Sequence, residues 1–172
     1  MKARWVKLTM AQLILGVLFA APPPAVGQSA FEVTGSGTVE TNCLGTLAPG
    51  CTVRLTGQMS GTPILPGQFF LRLDTGSPNS LNGYPGGTSQ GVCLPTSFNG
   101  TLTETGGDIY FNHAGLVCEE AEAGSPSVYH GTFRLTGGTG RFAAATGGGS
   151  VVATVTRDTL AGFVYLRGSI SY

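Results

Sequence analysis

From Phe31 to Ser171 the chain alternates apolar and polar residues with a period of two, in eight short runs separated by Gly, Pro and Asn. This pattern constrains the fold more than any other feature, because successive side chains on a strand point to opposite faces of a sheet. The runs are Phe31–Thr41, Cys51–Ser60, Gln68–Thr75, Ser97–Thr105, Asp108–Cys118, Val128–Thr136, Gly149–Arg157 and Ala161–Ser171. Thr, Val, Phe and Tyr are frequent in them, as suits a pleated, half-buried surface. Outside the N-terminal segment no stretch carries a helical period long enough to define a helix.

The alternation also assigns faces. Phe69, Leu71 and Leu73 share one side of their run, and Phe70, Arg72 and Asp74 the other. Tyr129, Phe133 and Leu135 oppose His130, Arg134 and Thr136, while Val53, Leu55 and Met59 oppose Arg54 and Gln58. Eight such strands can stack as a sandwich or close on themselves. Closure removes sheet edges, which a weakly charged chain would otherwise expose to neighbours. The links are mostly short: Gly106-Gly107 suits a two-residue hairpin and Asp158-Thr159-Leu160 a tight connection. The expected fold is therefore all-β, an eight-stranded antiparallel up-and-down β-barrel, with room inside for side chains or one small ligand. Gly76–Pro95, about twenty residues rich in Ser, Pro, Asn and Gly, is expected to be a long loop.

The N-terminus reads as an export signal. Lys2, Arg4 and Lys7 precede an apolar run of 14 residues from Leu8 to Ala21, then Pro22-Pro23-Pro24 and the small residues Ala25 and Gly27. A retained anchor is the competing reading, and a spanning helix needs about 20 residues. The first cysteine is Cys43, too distant for a lipid-anchored start. Cleavage is expected after Gly27, with residues 28–172 forming one domain that is secreted or periplasmic.

Processing removes every lysine. Six arginines then face nine acids, a formal charge of −3. A mildly acidic chain with scattered arginines offers no electrostatic footprint for nucleic acid or an anionic membrane, and Schiff-base chemistry needs a lysine. The four cysteines, Cys43, Cys51, Cys93 and Cys118, imply two bridges in an exported chain. The favoured pairing is Cys43–Cys51, around the loop 45–50, and Cys93–Cys118, around the next strand and its return. Zinc would need closely spaced cysteine pairs and neighbouring histidines, and the chain has neither.

One corner stands apart. In Thr136-Gly137-Gly138-Thr139-Gly140-Arg141-Phe142, followed by three alanines, the glycines permit backbone angles that other residues avoid. Phe142 is expected to tuck under the barrel end as a plug. Arg141 is expected to bond nearby carbonyls or to form a surface ion pair. This corner, the Ala145-Thr146-Gly147 after it and the Gly168-Ser169-Ile170-Ser171-Tyr172 end resemble the allene oxide cyclase and dirigent type of barrel. A wider group of bacterial secreted proteins without assigned activity is similar too. The specific likeness covers about twenty residues. It implies a barrel fold, and a cavity whose shape can direct a reactive substrate. The cavity carboxylates of that family match no position here.

Catalytic groups are sparse. His113 shares a face with Ile109, Phe111 and Val117, so it should point inward, either as a general base or as a partner-bonded structural histidine near Gly115. His130 falls on the polar face. Glu40, Glu104 and Asp108 lie near strand ends, and Glu119, Glu120 and Glu122 read as a solvated acidic loop short of the oxygens calcium needs. Gly138-Thr139-Gly140-Arg141-Phe142-Ala143 has the dinucleotide spacing but no helix to follow it. Asn99-Gly100-Thr101 is a glycosylation sequon. No cofactor is implied. The expectation is a non-catalytic barrel of binding or structural role, with space for a small apolar ligand. The alternatives are a cyclase-like or stereo-directing enzyme using His113, and a surface or matrix protein acting through its long loop.

Overall fold

The computed structural model describes residues 27–43, 47–77, 91–120, 125–156 and 158–172. The expected export leader, apart from Gly27, lies outside them, as do residues 78–90 of the long segment. Strands β1 (Ser29–Thr41), β2 (Thr52–Thr62), β3 (Gly67–Thr75), β4 (Gly91–Glu104), β5 (Gly107–Glu120), β6 (Ser127–Gly138), β7 (Thr146–Thr156) and β8 (Ala161–Ser171) follow in chain order. Each pairs antiparallel with the next, and β1 pairs with β8 (Val33 opposite Leu166) to close the barrel. The up-and-down barrel read from the sequence is the architecture found.

The inward positions are those that the alternation marks. Phe69, Leu71 and Leu73 on β3, Val53, Leu55 and Met59 on β2, and Tyr129, Phe133 and Leu135 on β6 are all buried. Bulky rings fill the middle, where Phe133 packs against Phe31 and Phe111 at centroid distances of 5.6 and 6.0 Å. Space for Phe111 comes from the strand beside it: a Cβ on Gly100 would overlap that ring. Burying such side chains stabilises by roughly 1.5–3 kcal/mol each, which makes the interior the main source of stability.

Several boundaries differ from expectation. β4 starts at Gly91 rather than Ser97, so residues 91–95 are strand and not loop. Pro95, which argues against a strand, sits opposite Leu116 in the ladder, and its carbonyl accepts the Gly76 amide at 2.7 Å. The β4–β5 turn is Thr105-Gly106, one residue earlier than expected, and Gly107 (φ +132°) opens β5. Glu119 and Glu120 end β5 instead of lying in a loop; Glu122 is outside the described residues. β7 begins at Thr146, three residues early. Both cysteine pairings hold, with Cα separations of 5.3 Å for Cys43–Cys51 and 4.1 Å for Cys93–Cys118.

Candidate functional site

The two ends of the barrel are built differently. At one end meet the β2–β3 link, the Thr105-Gly106 turn and the glycine corner. β6 runs into that corner through Gly137 (φ +122°), and a single 3-10 turn, Gly140–Phe142, starts from Gly140 at φ +55°. The turn drives Phe142 into the barrel mouth, fully buried, where its ring meets the edge of Tyr172 at 4.9 Å. The expected plug is therefore present. Ala145 is buried behind it, while Ala143 and Ala144 face solvent.

Arg141 does both things expected of it, with a deeper partner than a surface acid. Its guanidinium lies 2.9 Å from Glu104, whose side chain is only 1% exposed, and it also bonds the Pro63 carbonyl at 3.3 Å. The same guanidinium sits 4.6 Å from the centre of the Phe142 ring. The corner is a structural clasp. Gly138 to Ala143 contains an antiparallel strand end and a 3-10 turn, not the β-α-β unit a dinucleotide requires.

Inside the barrel His113 points inward, as its alternation implies, and is 5% exposed. Its Nδ1 is hydrogen-bonded to the hydroxyl of Tyr129, which reaches across from β6. Gly115 and Gly131 face each other on β5 and β6, and a Cβ on either would overlap that hydroxyl. The pair of glycines thus makes room for the pair of rings. Burial pushes the His113 pKa down to about 3, so the imidazole is neutral at physiological pH. That is far below the value that suits a general base.

Glu104 is remote from His113. Glu104 pairs with Gly107, and His113 lies six residues further along, roughly 20 Å at strand rise. Glu40 and Asp108 are on the outside, and His130 is exposed. Glu119 accepts the Leu47 amide at 2.8 Å, which ties the Cys43–Cys51 loop to β5. Among the described residues no group of His, Cys, Asp or Glu could hold a metal ion.

Toward the disulfide end the interior loosens into a cavity of about 40 Å³, lined by Leu55, Leu71, Val117, Ser127, Tyr129 and Ala153 among others. That space suits a water or a few-atom molecule; small-molecule sites run to about 300–1,000 Å³.

Sequence reasoning found the inward His113 and the corner but missed both partners. Tyr129 was marked only as apolar core, and Glu104 only as a strand-end acid. It placed Phe70 on the outer face without a role and passed over Tyr110; both are outward aromatic rings, each 39% exposed. Desolvation, followed by the nearby Asp108 carboxylate, raises the Tyr110 pKa, so its phenol stays neutral. Compared with known proteins, the chain matches no family model and no curated protein.

Proposed function

We propose that the protein is an exported, non-catalytic β-barrel with a binding or structural role, whose interior is committed to packing. The observation that carries this reading is the set of buried side chains that occupies the barrel interior among the described residues, where the cavity beside Tyr129 measures about 40 Å³. The chemistry points the same way. The buried imidazole is neutral at physiological pH and is held by the Tyr129 phenol, which suits a structural histidine better than one that moves protons.

Two disulfides suit an oxidising compartment, and the basic start and apolar run of residues 2–21 supply the export signal. Outward positions carry many hydroxyl side chains, among them Thr34, Thr38, Thr56, Thr103 and Thr132, where a membrane barrel would carry an apolar band. The likeness to allene oxide cyclase and dirigent barrels supports a shared architecture and leaves the reaction open, since one fold hosts many functions.

Isothermal titration of the processed chain with medium-chain fatty acids, a terpene alcohol and a phenylpropanoid tests the reading. No saturable heat is expected. Micromolar binding that is lost on Tyr129→Trp, a substitution that fills the cavity, would instead support the cyclase-like or stereo-directing alternative.

A further inference from the structure

We propose that the outer face of β3, β4 and β5 binds a neutral, extended 1,4-linked polysaccharide, with Phe70 and Tyr110 as its stacking platforms. The site lies outside the barrel and does not depend on what the interior holds.

The register sets the spacing. Phe70 on β3 is opposite Thr101 on β4, which is opposite Tyr110 on β5. The two rings therefore stand in one row, two interstrand steps apart, or roughly 10 Å. That is about the length of two pyranose units in an extended chain. Rings at this spacing can each cover the C–H face of every second sugar, burying apolar area against a partner that is otherwise polar.

The ground between and beside the rings completes the match. A shallow trough of about 190 Å³ lies between them, edged by Asn99 and Asn112. Another, of about 330 Å³, lies on the far side of Phe70, edged by Gln58, Gln68 and Thr103. Phe70 borders both, so the troughs form one path across the strands. No residue lining either trough carries a charge. Four side-chain amides offer donors and acceptors together, which is what a sugar hydroxyl needs. The arginines that border the troughs, Arg72 opposite Asn99 and Arg134 opposite Asn112, are matched by Asp74 and Asp108 on the same face, with Arg72 paired to Asp74 at 3.0 Å, so the face offers no net positive charge to a nucleic acid, an anionic lipid or an acidic glycan.

The test is a backbone-amide NMR titration of the processed chain with cellohexaose, mannohexaose and xylohexaose. At least one should shift the amides around Thr101 and Asn112 in a saturable way. Phe70→Ala and Tyr110→Ala should each weaken that binding by about tenfold, as truncation of a central aromatic anchor does. Tyr110→Phe, which keeps the ring, should retain it. Both positions point outward, so melting temperatures should stay near the parent value and separate lost binding from lost fold. No saturable shift with any of the three sugars overturns the proposal, as does binding that ignores both alanine variants. Sedimentation showing a dimer that Phe70→Ala dissolves also overturns it, because the face then docks a second copy.

Discussion

Arg141 closes over a carboxylate that the barrel end has taken out of water: its Nη2 lies 2.9 Å, and its Nε 3.0 Å, from Oε1 of Glu104. Among the described residues the other carboxylate oxygen, Oε2, is buried without a hydrogen-bond partner, so the arginine is the main counterweight to this charge. Arg141→Ala should therefore destabilise by about 2 kcal/mol, less than a fully buried pair because the guanidinium is 39% exposed. Adding Glu104→Leu should recover much of that loss, since an apolar replacement no longer strands a charge. Urea unfolding of the two variants checks this; a double variant no better than Arg141→Ala would contradict it.

The plug contributes through burial. Phe142 is fully buried, so Phe142→Ala should cost about 3–5 kcal/mol in denaturant unfolding. Ala144→Ser, on an exposed neighbour of the same corner, should stay within about 0.5 kcal/mol. Equal effects would mean that the corner acts through its backbone alone.

His113 gives the barrel a pH signature. Its pKa is about 3 when folded against 6.5 for a free imidazole, so the unfolded chain takes up this proton more readily. The stability it contributes is complete above pH 6.5 and is lost as pH falls toward 3. The slope is at most roughly 1.4 kcal/mol per pH unit. Urea unfolding between pH 7 and 4 should show this loss, and His113→Gln should flatten it. An unchanged slope in the variant would place the titration elsewhere.

The bridges should differ in weight. Cys93–Cys118 closes 25 residues and Cys43–Cys51 closes 8. Replacing the first pair by alanines should cost about 3.5 kcal/mol, and the second about 2.5, by loop entropy. Thermal melts of the two double variants should rank in that order. The second should also loosen the Leu47 segment that Glu119 holds.

Much of the fold was legible because one physical fact, a buried face on every strand, repeats eight times. Inward residues such as Leu71 and His113 follow from it directly. Strand ends were harder. Pro95 looks like a terminator, yet it sits in β4 with its carbonyl accepting the Gly76 amide, and this donor lies beyond the local window. Partners were the least legible. Glu104 and Arg141 are 37 residues apart, and Tyr129 and His113 are 16 apart. Which inward side chains meet depends on cross-strand register, and a period of two leaves that open. The same is true outside: Phe70 and Tyr110 align only once β3, β4 and β5 are paired.

The central claim, that the barrel is filled rather than hollow, is tested most directly by crystals of residues 28–172 held under xenon, which enters dry apolar cavities. The account expects at most one partly occupied xenon, beside Leu55, Leu71 and Val117 at the disulfide end, and none deeper. Several xenon atoms strung along the barrel axis past Tyr129 and Phe133 would contradict it.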